Sequence, residues 1–134
     1  MKNFNPMSGN YCHFNDGRND QTFSINLFSK DISLRQNPSS RAVGHGAVVW
    51  DASVIFSKYM EKNPTEFDLK KLRGKTVLEL GSGCGLAGIG FMIRGASVTF
   101  TDMEMVVSSL TDRNVQVSRT FLTVTYLFPT LHFI

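Results

Sequence analysis

Cysteine is scarce in this chain: there are two in 134 residues, Cys12 and Cys84, 72 positions apart. Such a pair makes neither a disulfide framework nor a metal-spaced set. Long apolar runs are missing as well. No early apolar stretch has the form of a signal peptide, and no run of ~18 apolar residues is there to span a bilayer. The expectation is a soluble protein of a reducing, cytoplasmic setting, with the nucleus as a second compartment and no membrane partner. Concentrated charge is lacking too. Fourteen Lys and Arg against eleven Asp and Glu give +3, and the basic residues are scattered from Lys2 to Arg119. A pI near 9.0 without a basic block is weak support for a nucleic-acid partner, and none is expected. A last shortage is local: the final fifteen residues, from Thr120 to Ile134, hold no Lys, Arg, Asp or Glu. Such an ending is unusual for a soluble domain unless more chain covers it.

What is present has a clear order. Residues 1–20 are rich in Asn, Gly, Ser and Asp without apolar period and read as a flexible tail. Cys12 and His13 lie in it with no visible metal-ligating companions. From Gln21 the chain alternates, with Phe23, Ile25 and Leu27 on one side, and Ile32 and Leu34 resume the rhythm after Lys30-Asp31. That pattern predicts a β-hairpin, broken by Asn37-Pro38-Ser39-Ser40. Beyond Gly44-His45-Gly46, the residues Ala52, Ile55, Phe56, Tyr59 and Met60 recur at three- and four-residue steps, which predicts an amphipathic helix ending before Pro64. A short helix from Asp68 to Leu72 is expected next.

The most regular stretch follows. Thr76 to Leu80 is a β-rich run, Gly81-Ser82-Gly83-Cys84-Gly85 a glycine loop, and Leu86 to Ile93 a small-residue helix stopped by Arg94-Gly95. Ser97 to Thr101 is a second strand ending at Asp102, Met105 to Val115 a helix with Val106, Leu110 and Val107 as its inward candidates, and Phe121 to Phe128 a third strand. Strand, helix, strand, helix, strand is the start of an α/β, Rossmann-like, doubly wound parallel sheet.

A strand that runs through glycines into a helix brings backbone N–H groups and a positive helix end close to a ligand. Asp102, 21 residues beyond Gly81, stands at the carboxyl end of the next strand, where a carboxylate can accept both hydroxyls of a ribose. Together they predict an adenosine-cofactor site. A phosphate-binding Walker loop is excluded: Gly74-Lys75-Thr76 has Leu69 where the first glycine belongs and precedes the strand. Gly83, Gly85 and Gly88 do spell a dinucleotide fingerprint, but two residues late, so an NAD-type oxidoreductase stays open as an alternative. Glu79 favours the other reading. An acid near the strand end repels a pyrophosphate and attracts the amino and sulfonium groups of S-adenosyl-L-methionine. Its competing role is a local cap or pair.

The segments VVWDASVIFSKYME (48–61), LRGKTVLELGSGCGLAGIG (72–90) and GASVTFTDME (95–104) resemble the seven-strand, class I protein-lysine methyltransferases of the methyltransferase-like type, methyltransferase family 16. The likeness runs from about Phe23 to Gln116. It implies an S-adenosylmethionine-dependent enzyme acting on lysine in a protein substrate, of the chaperone or translation-factor kind. Carried over by position, it implies that Gly81, Ser82 and Gly83 contact the cofactor through the loop backbone, that Asp102 holds the ribose, and that Trp50 lies beside the cofactor. Cys84 falls where the family accepts several small residues and is expected to be inert. No catalytic residue is implied by the matching segments.

The family's later strands, including the acidic-aromatic segment lining its acceptor-lysine channel, have no counterpart here. A βαβ unit takes ~30 residues, so the 59 from Thr76 to Ile134 hold about three strands. The expected organisation is a flexible tail over 1–20, the amino-terminal portion of a methyltransferase domain over 21–116, and an atypical apolar tail over 117–134. Gln116-Val117-Ser118 is what CAG-GTA-AGT encodes, an exon end running into a splice donor, so read-through of an intron is the expected origin of that tail. A half-sheet then leaves apolar faces and a strand edge open, and a non-catalytic fragment or interaction module is the second alternative. The sequence assigns no oligomeric state.

Overall fold

The computed structural model describes residues 20–41, 43–118 and 124–127. The expected tail over 1–20 therefore lies outside the described residues except for Asp20, as does the apolar ending except for residues 117–118 and 124–127. Strands β1 (Gln21–Leu27) and β2 (Lys30–Gln36) pair antiparallel, Leu27 opposite Lys30. The turn is Phe28-Ser29, two residues earlier than the Lys30-Asp31 step suggests. Both turn residues have positive φ, 52° and 61°, the twist that a two-residue hairpin loop demands. Neither is glycine, which is why turn chemistry did not reveal the position. The Phe28 N–H donates to Glu61 Oε1 at 2.7 Å and the Arg94 guanidinium lies 4.8 Å over the Phe28 ring, so tertiary contacts hold the turn in place.

A single 3₁₀ turn (Gly44–Ala47) leads to helix α1 (Asp51–Lys62), and Asp68 caps the short helix α2 (Leu69–Leu72). The parallel sheet contains β3 (Thr76–Leu80), β4 (Ser97–Thr101) and β5 (Val124–Leu127), in that spatial order. Helix α3 (Leu86–Ile93) connects the first two strands, with the boundaries its small-residue run and Arg94-Gly95 stop predict. From Glu104 to Ser118 the chain is helical in three consecutive pieces: α4 (Glu104–Val106), a π-turn (Val107–Thr111) and α5 (Asp112–Ser118).

Parallel strands added in one direction through crossovers of one hand place their helices on one face. The burial follows that rule. Val98 and Phe100 of β4 are buried in a core shared with Leu86, Ile89 and Met92 of α3, Val115 of α5, and Phe23, Leu27, Ile32 and Leu34 of the hairpin. On the other face Leu78 and Leu80 are 58% and 76% exposed. Among the described residues β3 pairs only with β4, so one apolar face and one strand edge are open, as the strand arithmetic expects.

Helix α1 departs from its sequence reading. Of its apolar residues, Met60 is buried, while Ile55, Phe56 and Tyr59 are 52%, 38% and 48% exposed and Ala52 is exposed as well. The buried stripe is centred on Ser57 and Met60, one step round the helix from the most apolar stripe. The cause is close approach to α3: a Cβ on Gly90 would lie 2.6 Å from Met60 Cε, so α1 sits on its small-residue side. Phe56 and Tyr59 instead form an aromatic cluster with Phe67 and Phe91, at centroid distances of 5.8–6.2 Å.

Candidate functional site

The parallel register sets the site. Leu80 lies opposite Thr101, so the glycine loop and Asp102 leave adjacent strands at the same end. The loop is stitched to β4 at once: Ser82 N–H donates to Thr101 O at 2.9 Å, and Thr101 Oγ to Glu79 O at 2.8 Å. Gly81, Gly83 and Gly85 then take φ of 64°, 51° and 82°, alternating left-handed steps that other residues adopt only with strain.

Asp102 is brought onto this loop. Its Oδ2 accepts from Gly83 N–H at 2.8 Å and its Oδ1 from Met103 N–H at 2.7 Å. A carboxylate has about four acceptor positions, so Asp102 is fixed in orientation by two backbone donors and keeps two positions for hydroxyl groups. Ser82 sits between them with its hydroxyl buried and without a hydrogen-bond partner among the described residues. A buried hydroxyl within a glycine loop can hydrogen-bond a polar ligand atom that reaches it.

Trp50 reaches the same end through the 3₁₀ turn. Its Nε1–H donates to His45 O at 2.8 Å, and the two rings lie 6.1 Å apart. The next residue, Gly46, packs on the loop: a Cβ at Gly83 would stand 3.5 Å from Gly46 O, and the Cys84 thiol points at the same oxygen from 3.8 Å. Gly46 itself has no room for a side chain, because its Cβ would stand 2.9 Å from a Val106 methyl. The indole is 55% exposed, a flat apolar surface at the rim. Gly81, Ser82, Gly83 and Asp102 thus stand at one end of the sheet, and Trp50, at the start of α1, is hydrogen-bonded to the turn packed on the loop.

Glu79 is placed differently from its sequence reading. Strand alternation puts Val77 and Glu79 on the helix-covered face. The carboxylate lies under α3, where Oε2 accepts the Gly88 N–H at 3.1 Å, the third residue of that helix. Burial pushes its carboxyl up to about 7; the Gly88 N–H works against this, and the Asp102 charge adds to it. A residue so held acts as a helix cap from behind the loop, so its charge does not choose between a sulfonium and a pyrophosphate. Burial, with Asp102 second, pushes the Cys84 thiol up to about 12, which disfavours the thiolate form.

Two residues of the site were missed by sequence reasoning. Thr111 Oγ donates to Gly83 O at 2.6 Å, and Asn114 Nδ2 donates to Cys84 O at 3.0 Å. The pairing that exposes them is one of burial, Val106-Val107, Leu110-Thr111 and Asn114-Val115, and residue type alone does not show it. Among the described residues no group of three or more His, Cys, Asp or Glu is arranged to hold a metal ion, and no helix is long and apolar enough to cross a membrane.

Comparison with known proteins gives the geometry its family. The mouse protein N-lysine methyltransferase METTL21A is 43% identical over 79 residues, covering 59% of this chain and 33% of the relative. The mouse EEF1A lysine methyltransferase 3 is 38% identical over 82 residues, covering 61% and 33%. The chain therefore spans about a third of the length of these curated relatives. Among solved structures, the T. Thermophilus 16S rRNA N2 G1207 methyltransferase (RsmC), in complex with AdoMet and guanosine, superposes with a TM-score of 0.60 at 19% identity, covering 81% of this chain and 27% of that one. That likeness is one of fold. The lysine methyltransferase family model matches residues 28–131, a span that crosses Gln116 and includes β5. With that match over most of its length, the chain belongs to the lysine methyltransferase family.

Proposed function

We propose that this chain carries the cofactor-binding portion of an S-adenosylmethionine-dependent protein-lysine methyltransferase. The observation that carries the reading is the convergence of Asp102 with the left-handed glycine loop, at the carboxyl ends of two adjacent parallel strands. The residues present fit the cofactor: Asp102 keeps two acceptor positions for ribose hydroxyls, and the buried Ser82 hydroxyl lacks a partner. Trp50 offers an apolar face at the rim, and Gly81, Ser82 and Gly83 present backbone without side-chain obstruction. S-adenosylmethionine, when bound, would supply a sulfonium-bound methyl open to in-line attack by a neutral lysine amine, the N–C bond forming as the C–S bond breaks, with S-adenosylhomocysteine leaving and the proton on nitrogen passing to water. The protein's part in such a transfer is alignment more than activation of a nucleophile. Asp102 and the loop orient the donor, and no residue is assigned as a catalytic base.

Three features weigh on the alternatives. The late dinucleotide register depends on Gly88, whose α-carbon packs against Glu79 and the Phe100 ring, a role any close helix–strand contact requires. The family match supports the methyl donor over NAD. The open β3 edge and the exposed Leu78 and Leu80 support a chain whose transfer activity depends on further strands, and this keeps the reading as a non-catalytic fragment or interaction module in view. Protein substrates follow from the names of the relatives, which act on protein lysine. Methyl transfer to protein lysine, assayed with this chain alone and with the carboxyl-terminal part of a relative added, separates these readings. Transfer in either reaction supports the enzyme. Cofactor binding with no transfer in both supports the binding module.

A further inference from the structure

We propose that Thr111 and Asn114 are positioning residues that set the carbonyl groups of the glycine loop and tie the loop to the β-hairpin, and so control cofactor affinity without touching the cofactor. The inference rests on reading the loop as the cofactor site.

The loop is gripped from two sides. Its N–H groups are held by Thr101 O at Ser82 and by Asp102 at Gly83. Two of its carbonyls are held by the helical segment, Thr111 taking Gly83 O and Asn114 taking Cys84 O, while Ser82 O accepts the loop's own Gly85 N–H at 2.7 Å. Both side chains are buried, Thr111 to 0% and Asn114 to 2% exposure, so neither bond has water as a substitute. A peptide unit whose carbonyl is fixed has its N–H fixed as well, because the unit is planar. Gripping Gly83 O therefore aims the Cys84 N–H, and gripping Cys84 O supports the Gly85 N–H in its bond to Ser82 O.

Asn114 does more than cap the loop. Its Oδ1 accepts Arg35 N–H at 2.7 Å, and Nδ2 donates to Arg35 O at 3.0 Å. The side-chain amide thus pairs with the edge of β2 as a neighbouring strand's peptide would. With both N–H bonds and its oxygen committed, it joins β2 to the loop across 79 residues of sequence on one side and 30 on the other.

The helix is deformed to allow this. Buried residues come as adjacent pairs, Val106-Val107, Leu110-Thr111 and Asn114-Val115, repeating every four residues. An α-helix turns about 400° in four residues, so the third pair would drift about 80° from the first. The π-turn at Val107–Thr111 is wider per turn and removes that drift, which keeps Thr111 and Asn114 pointing at the same loop.

The test uses the full chain with Thr111→Val, Thr111→Ser and Asn114→Ala, read by two measurements. Titration calorimetry with S-adenosylhomocysteine gives the affinity, and native-state hydrogen exchange gives the protection of the Cys84 and Gly85 amides in the free protein. Thr111→Val is nearly isosteric and removes only the donor, so it is the variant that folds if Asn114→Ala does not. The expected result is about tenfold weaker binding and faster exchange at Cys84 for Thr111→Val, with both restored in Thr111→Ser, which keeps the hydroxyl, and faster exchange at Gly85 for Asn114→Ala. Unchanged affinity or unchanged exchange in Thr111→Val overturns the proposal. So does a Thr111→Ser chain that behaves like Thr111→Val, since that makes the methyl the important group. No S-adenosylhomocysteine binding by the wild-type chain, with faster exchange still seen in Thr111→Val, overturns the cofactor reading and the affinity claim together, and leaves the loop grip as a purely structural fact.

Discussion

Replacing Gly88 by alanine sets two opposing effects against each other. As an interior residue of α3, alanine is favoured over glycine by about 1 kcal/mol of helix propensity. The structure opposes that gain, because a Cβ at Gly88 would overlap both Glu79 Oε2 and the Phe100 ring. Phe100 is fully buried at the centre of the core and cannot move outward, so overpacking costs about 1–3 kcal/mol. The displaced Glu79 also loses its bond to the Gly88 N–H, worth about 1.5–3 kcal/mol when the acceptor is charged. Steric and hydrogen-bond losses exceed the propensity gain, and the net destabilisation is about 1.5–5 kcal/mol. Gly81→Ala is the matched control. There a Cβ meets nothing within 4 Å, and only the left-handed φ of 64° is penalised, at about 1–2 kcal/mol. Urea unfolding followed by circular dichroism measures both, with an unchanged slope confirming a stability effect. A Gly88→Ala chain as stable as wild type, or more stable than Gly81→Ala, refutes the close approach of α3 to the sheet.

Further outcomes follow from the same contacts. Glu79 holds its proton near pH 7 in the folded chain against 4.5 when unperturbed, so the folded state binds the extra proton between those values. Its contribution to stability is therefore full below pH 4.5 and is lost as pH rises through 7. Glu79→Gln, which still accepts the Gly88 N–H, should flatten that decline and be more stable than wild type at pH 8 by on the order of 2–3 kcal/mol; a steeper decline contradicts the placement of Glu79. Ser29→Gly removes a strained positive φ of 61° from the hairpin turn and should stabilise the chain by about 0.5–1 kcal/mol in thermal unfolding, whereas a loss of stability argues against that turn. Trp50 is the sole tryptophan, so S-adenosylhomocysteine should change the intrinsic fluorescence, and Trp50→Phe should bind it several-fold more weakly; an unchanged emission places the indole away from the site. Sequencing the transcript across Gln116 tests the read-through origin proposed for residues 117–134: an intron boundary there supports it, and a continuous exon refutes it.

The parts legible in the sequence are those where a local rule acts alone. Glycine spacing and a small-residue run give the loop and both ends of α3, and alternation gives the hairpin strands. Asp102 is legible because a strand end at fixed distance from a glycine loop leaves an acid little choice of place. Failures occur where a tertiary contact overrides the local pattern. The apolar stripe of α1 stays partly exposed because Gly90 of α3 draws in Met60 instead. The hairpin turn is made by Phe28 and Ser29, which no turn preference selects, because Glu61 and Arg94 hold it. Glu79 was read by its charge, yet alternation with Val77 already turned it toward α3. Thr111 and Asn114 escaped notice because their period of four is one of burial, which residue type alone does not show, and only the loop above them explains it.

The central claim is that the glycine loop and Asp102 form a methyl-donor site, and titration calorimetry with S-adenosylhomocysteine and NAD on the wild-type and Asp102→Asn chains tests it most directly. The account predicts heat of binding with S-adenosylhomocysteine, none with NAD, and at least tenfold loss of affinity in Asp102→Asn. Binding of NAD in place of S-adenosylhomocysteine, or binding that is indifferent to Asp102, would contradict it.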